Sequence, residues 1–266
     1  MNDIYYDYQK ILSYNAFLSF LIGERGVGKT YGAIKFCISR FVKKGEQFAY
    51  IRRYKTELNE ARSKIFKSLK QNNEFVNNLY NKGNTFYCDD KICGFGMTLS
   101  TAQNLKSSNY DDVKTIIFDE FIPQSGKHYL KDEVYTFLNL IETISRLRET
   151  RVILLGNADD LINPYFLYFD ISISKNTEIS TFKDGLILVN YMKNIPYREK
   201  KKNSRFGKLV ENTPYAQFAI DNEFINNNND FIEKKTNTAR FQFAITYKNN
   251  TYGIWFDFKA RKNFYK

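Results

Sequence analysis

Residues 23–30 read Gly-Glu-Arg-Gly-Val-Gly-Lys-Thr, and few short patterns constrain a fold so tightly. The spacing is that of a phosphate-binding loop, G-x-x-x-x-G-K-[ST]. Its glycines let the backbone curl until successive N–H groups converge on an anion. The pattern predicts that Lys29 places a point charge on the β- and γ-phosphates of ATP and that the Thr30 hydroxyl holds Mg²⁺. A following helix would add the positive end of its dipole. The candidate nucleotide contacts are therefore Gly23, Glu24, Arg25, Gly26, Val27, Gly28, Lys29, Thr30 and Tyr31. Context agrees with the motif. Residues 17–22 form a short apolar run suited to a buried strand, and residues 31–40 carry apolar positions at helical spacing.

Further β-rich runs lie at 47–52, 115–118, 151–155 and 185–189, with helical patterns at 56–70 and 133–148. This alternation predicts an α/β fold with a mostly parallel central sheet wrapped by helices. Residues 86–94 read as an inserted hairpin turning at Asp89-Asp90-Lys91. Beyond residue 192 the character changes. Between 193 and 208 seven basic residues face a single Glu199, and 226–229 is a polar run of loop type. Two strand-like segments, 240–247 and 251–258, form a hairpin across Lys248-Asn249-Asn250. The organisation expected is an ATPase domain over 1–192, a basic linker region over 193–229 and a small β-containing extension over 230–266.

Residues 115–120, Thr-Ile-Ile-Phe-Asp-Glu, supply the partner that a phosphate-binding loop needs. An apolar strand ends in two carboxylates. Asp119 belongs in the Mg²⁺ shell, as a Walker B aspartate, and Glu120 is placed to orient and deprotonate the attacking water. Adjacent strand residues point to opposite sides, so the two carboxylates need not share a role. A glutamate there favours hydrolysis over phosphoryl transfer to a second substrate. Asn157, at the tip of the strand 151–155, is a candidate bridge between γ-phosphate and water. Arg146 and Arg148 end the preceding helix, where either suits the helix dipole or serves as an arginine finger reaching a neighbour's site. Arg25 is a further finger candidate, acting in cis. Residues 52–55, Arg-Arg-Tyr-Lys, are candidates for a phosphate-side lid or a DNA contact.

Forty Lys and Arg against 29 Asp and Glu leave a formal charge of +11, which points to a polyanionic partner. Lys200, Lys201, Lys202 and Arg205 are the candidate nucleic-acid contacts. Three cysteines without metal-type spacing fit a reducing compartment, and a single histidine, His128, argues against His-based catalysis. No apolar run is long enough to span a bilayer. A cytoplasmic protein with no membrane partner is expected. Other readings at this level are a helicase or phage-assembly ATPase, and a nucleic-acid-binding scaffold switched by bound ATP.

These segments together resemble the genome-packaging (DNA encapsidation) ATPases of small short-tailed bacteriophages, the type that works with a packaging RNA. The loop and the Asp119-Glu120 strand are shared with many ATPases. More particular to that family are Ile-Arg-Arg-Tyr-Lys at 51–55 and Asn-Pro-Tyr-Phe-Leu at 163–167, with Arg-Phe-Gly-Lys-Leu at 205–209 and Phe-Ile-Glu-Lys at 231–234. The resemblance implies a P-loop NTPase of the class with an additional strand and a catalytic glutamate. It implies a homopentameric ring at the portal vertex of a capsid in the host cytoplasm, driving double-stranded DNA inward. It also favours Arg146 over Arg148 as the trans-acting finger. Family members usually continue into a nuclease-like domain, so the chain is expected to be a short homologue or a truncated one.

Overall fold

The computed structural model describes residues 8–105, 109–124, 127–157, 163–173, 177–192, 195–211, 213, 236–247, 250–257, 259 and 262–265. Two compact units, Met1–Phe224 and Ile225–Lys266, divide the chain. In the first, α1 (Tyr8–Leu12) leads into β1 (Leu18–Ile22), α2 (Lys29–Lys44), β2 (Gln47–Arg52), α3 (Lys55–Arg62) and α4 (Lys67–Gln71). Then follow β3 (Leu79–Lys82), β4 (Thr85–Cys88), β5 (Lys91–Thr98), β6 (Val113–Asp119), α5 (Glu133–Ser145), β7 (Arg151–Gly156) and α6 (Pro164–Phe169). The unit continues through β8 (Ile179–Phe182), β9 (Ile187–Tyr191), α7 (Ile195–Lys202) and α8 (Arg205–Val210).

All nine strands of this unit join one sheet in the order β3-β4-β5-β2-β6-β7-β1-β9-β8. From β5 to β9 every pairing is parallel, and the two edges are antiparallel hairpins. Strands covered on both faces favour apolar residues on both, which is why β1, β6 and β7 read as largely apolar runs and not as alternating ones. One face packs Phe20, Phe118, Phe121, Phe137, Tyr165 and Phe166 under α5 and α6. The opposite face packs Ile34, Cys37, Phe48, Tyr50, Phe66 and Phe86 under α2 to α4. Phe20 meets Phe121 and Phe166 edge-on at 5.3 Å. Each such buried ring contributes roughly 1.5–3 kcal/mol, so much of the aromatic content is core.

The edge strands β3 and β8 escaped the sequence reading because they carry polar residues and pair on one side only. The helix expected at 56–70 is two helices. The chain tightens at 63–66, which turns Phe66 onto Phe86 with ring centroids 5.7 Å apart. The helix expected to run to Arg148 ends at Ser145, since Arg146 and Leu147 adopt positive φ. The hairpin at 86–94 forms as read, with Asp89 and Asp90 at φ 48° and 64° in its turn. Part of the stretch read as a basic linker is helical, as α7 and α8.

The second unit is a three-stranded antiparallel sheet of β10 (Arg240–Tyr247), β11 (Asn250–Asp257) and β12 (Lys262–Tyr265). β12 was not anticipated. Buried Asp257 ties the unit together, accepting hydrogen bonds from the Thr236 and Thr238 hydroxyls and the Lys259 N–H. Residues 226–229, 231–234, 248 and 249, and Lys193, lie outside the described residues. No helix among the described residues is long and apolar enough to cross a membrane.

Candidate nucleotide site

β1 ends at Ile22, and the loop of residues 23–28 turns the chain into α2. Gly26 and Gly28 hold φ of 89° and 86°, a region open to glycine at little cost and the one that aims successive N–H groups inward. Gly28 is the N-cap of α2 and offers no side-chain cap, and the first turn carries no acidic residue. The helix N-terminus therefore suits an anion. The Lys29 ammonium donates to the carbonyls of Gly23 at 2.8 Å and Glu24 at 2.7 Å, and to Asn157 Oδ1 at 3.3 Å. Asn157 reaches the loop because β7 runs parallel beside β1, with Gly156 level with Ile22. Arg25 is exposed and Val27 buried. The Tyr31 hydroxyl turns instead to Asn72 and Glu74.

On β6, Asp119 accepts from the Thr30 hydroxyl at 3.1 Å and from the Tyr50 hydroxyl at 2.6 Å. Burial first, and then the Asp119 charge, push the Tyr50 phenol well above its ordinary range, so it stays a donor. Thr30 and Asp119 are hard oxygen donors of the kind Mg²⁺ accepts beside nucleotide phosphates. Among the described residues no cluster of three or more His, Cys, Asp or Glu offers a rival metal site.

Strand alternation alone would send Asp119 and Glu120 to opposite sides. The structure departs from that, because β6 ends at Asp119 and Glu120 turns to φ 60°. Both carboxylates then meet one guanidinium: Arg52 lies 2.7 Å from Glu120 Oε2 and 3.3 Å from Asp119 Oδ2. Burial works against the Arg52 charge, but the carboxylates of Asp119, Glu120 and Glu57 outweigh it and hold the group firmly protonated. Gln124 donates to the other Glu120 oxygen at 3.1 Å. The left-handed turn at Glu120 costs about 1–2 kcal/mol, and Arg53 helps to hold it. That arginine is 1% exposed. It donates to the Glu120 carbonyl at 3.1 Å, the Phe121 carbonyl at 2.6 Å, and both oxygens of Glu133 at 2.7 and 2.9 Å. Burial leaves Arg53 no part in a DNA surface, contrary to one sequence expectation for residues 52–55. Tyr54 of the same run donates to the His128 carbonyl. The run 163–167 is explained too. Asn163 caps α6 through the Phe166 N–H, Pro164 opens the helix, and the Tyr165 hydroxyl donates to Glu133 at 2.8 Å.

The two candidate finger arginines part company. Arg148 is fastened to Asp111 at 2.6 Å and to the Ile144 carbonyl at 2.8 Å. Arg146 caps α5 at φ 41° and is exposed, and its guanidinium makes no hydrogen bond or ion pair with any described residue. It precedes the start of β7, whereas the nucleotide loop lies past the end of the parallel strand β1. Six strand residues separate those edges by about 20 Å, farther than an arginine side chain reaches. Sequence reasoning also missed a contact to the loop itself. Arg198 on α7 pairs with Glu24, whose other oxygen, Oε2, is buried without a hydrogen-bond partner. Burial raises the Glu24 carboxyl above its ordinary value despite Arg198. Lys200, Lys202 and Arg205 are exposed and Lys201 is half-buried on α7 and α8. Nothing local announces the Glu24 pair, because its partners stand 174 residues apart.

A nucleotide loop on β1, an acidic strand separated from it by β7, and a polar residue at the tip of β7 define a P-loop ATPase fold of the additional-strand class. The chain belongs to the podovirus DNA encapsidation protein (Gp16) family, whose sequence profile matches residues 1–265. It is 40% identical over 257 residues to the DNA packaging protein of Bacillus phage phi29, covering 96% of this chain and 76% of that one. The DNA packaging protein of Bacillus phage B103 is 41% identical over 250 residues, 93% of this chain and 76% of its own. Among solved structures, the N-terminal domain of the phi29 DNA packaging ATPase matches at 39% identity and TM-score 0.67, covering 73% of this chain and 98% of that one. The phi29 genome packaging motor assembly matches at 38% identity and TM-score 0.71, covering 99% and 80%. The ATPase domain of a Thermus phage large terminase shares the fold at 12% identity, TM-score 0.51, over 82% and 92% of the two chains. The protein is a viral DNA-packaging ATPase.

Proposed function

We propose that this ATPase hydrolyses ATP at a site shared between neighbouring copies in a ring, and couples each cycle to movement of double-stranded DNA into a capsid. The observation that carries the reading is the split between its parts. Lys29, Thr30, Asp119, Glu120 and Asn157 converge in one cluster, while Arg146, whose side chain pairs with no described residue, lies toward the opposite end of the parallel strands. When nucleotide binds, Lys29 exchanges its loop carbonyls for β- and γ-phosphate oxygens. Thr30 and Asp119 would hold Mg²⁺, which would supply charge neutralisation. Glu120 takes the proton of the attacking water as its oxygen bonds to the γ-phosphorus and the bond to the leaving ADP oxygen breaks. Arg52 occupies one Glu120 oxygen, so productive binding must free that oxygen to meet the attacking water. Asn157 orients water and γ-phosphate, and Arg146 of an adjacent copy stabilises the charge that develops, a role worth about 10³–10⁵ in rate.

The same reading places a pentameric ring at the portal vertex in the host cytoplasm, with packaging RNA and the portal as partners. The family relationship and the +11 charge support it.

Two outcomes test these assignments. Arg146→Ala should bind ATP and lose turnover, yet regain activity when mixed with Glu120→Gln, because an intact Arg146 then faces an intact Glu120 at some junctions. No recovery at any mixing ratio rejects trans action. DNA binding should run through α7 and α8. Replacing Lys200, Lys201 and Lys202 with glutamine should then lower the slope of log affinity against log salt by about 2–3. An unaltered slope in a filter-binding titration rules these lysines out as phosphate contacts.

A further inference from the structure

Leu147 is exposed to 108% of its reference area and holds φ 66°, directly after Arg146 at 41°. Single exposed leucines are common on protein surfaces, and exposure alone would say nothing. The backbone says more. A bulky residue in the left-handed region is disfavoured and persists only where its surroundings hold it there. Here both flanks do so. The Arg146 N–H bonds the Glu142 carbonyl at 2.9 Å, and the Arg148 N–H bonds that of Ser145 at 2.8 Å. The Arg148 guanidinium clamps Ile144 and Asp111, and the Ser145 and Thr150 hydroxyls meet at 2.7 Å. The result is a rigid turn that presents an apolar side chain and a cation together.

We propose that Leu147 is an apolar anchor that seats on α8 of a second copy of this chain and so sets Arg146 against that copy's nucleotide. The inference rests on the trans reading of Arg146 and names the surface that receives it. On α8, Phe206 and Leu209 lie one turn apart and are 48% and 77% exposed. The helix is held close to α7, since a Cβ on Gly207 would fall 2.1 Å from the Lys201 carbonyl oxygen. Helix α7 in turn is pinned to the nucleotide loop by Arg198 and Glu24. Through α7 the apolar pair is tied to the loop, so an anchor seated on α8 brings its adjoining cation to the loop's side of the receiving copy. The contact joins two different surfaces, so it is heterologous and propagates from copy to copy as a ring requires.

The mixture of Arg146→Ala with Glu120→Gln tests this with direction. Only junctions where a Glu120→Gln subunit offers Arg146 to an Arg146→Ala subunit report activity. Leu147→Asp added to the Glu120→Gln subunit should cut the recovered ATPase rate about tenfold, and the same change in the Arg146→Ala subunit should cost less than about twofold. Leu209→Asp should show the reverse dependence. All these residues are exposed, and nucleotide binding by each variant alone checks that it has folded. Full recovery with Leu147→Asp on the finger-bearing subunit overturns the proposal, as does equal loss whichever subunit carries it. Retained activity with Leu209→Asp on the receiving subunit overturns α8 as the docking surface. Failure of the unmodified mixture overturns the trans reading of Arg146 instead.

Discussion

Glu120→Gln is expected to lower the ATPase rate by about 10²–10⁴-fold while leaving nucleotide affinity and thermal stability close to those of the parent. The amide keeps the size of the carboxylate and can still accept from Arg52 and donate or accept at Gln124, so the two contacts that position it survive in neutral form. What it loses is basicity. Equilibrium binding of a fluorescent ATP analogue, beside steady-state phosphate release, separates these effects. A rate within a few-fold of the parent would assign the proton transfer elsewhere. Asp119 is an unsuitable substitute, since its oxygens already serve Thr30, Tyr50 and Arg52.

The second large effect concerns stability. Arg53→Met should destabilise the protein by about 3–5 kcal/mol, because it strands the buried Glu133 carboxylate without its cation. For a chain of this size that corresponds to a melting temperature lower by roughly 6–20 °C. Burial works against the Arg53 charge, and the paired carboxylate is what keeps it protonated. Replacing both partners, Arg53→Met with Glu133→Leu, should recover much of the loss, since an apolar pair carries no unmet desolvation cost. Recovery will be incomplete, because Tyr165, Leu130 and the carbonyls of Glu120 and Phe121 also lose partners. Calorimetry on the single and double variants decides the matter. A double variant no more stable than Arg53→Met would mean that the carbonyl contacts, and not the ion pair, hold this region. The exposed Lys10–Glu178 pair is worth at most about 1 kcal/mol by comparison.

Much of the framework was legible in the residue pattern for a simple reason. Parallel strands covered on both faces are largely apolar on both, so the strand 47–52 appears with the bounds read from sequence, and those at 17–22, 115–118 and 151–155 appear within two residues. The nucleotide loop was legible because its function depends on local spacing. The edge strands β3 and β8 were not, because a strand paired on one side tolerates polar residues. The pairs that equip the site were not legible either. Arg52 and Arg53 are neighbours of one type, yet one bridges two site carboxylates and the other is sealed under α5. Their fates follow from strand alternation at the end of β2, beside a β6 whose terminal glutamate leaves the strand direction. Arg146 and Arg148 differ by two positions, and only the left-handed turn after Ser145 sends one to solvent and the other to Asp111.

The sequence by itself determined the chemistry: a loop that turns toward phosphate, a hydroxyl directly after its lysine, an aspartate and a glutamate at a strand end, and an excess of positive charge. Those are properties of residue type at short range, where a few bonds of backbone fix the geometry. Tertiary structure decided which of those groups share the site and which lie away from it. That depends on the placement of β7 between β1 and β6, which brings Asn157 to Lys29 and leaves Arg146 beyond the opposite end of the strands. It depends equally on the fold-back that joins Arg198 to Glu24. Contacts between distant segments arise from sheet order and crossover connections, and no local spacing encodes them.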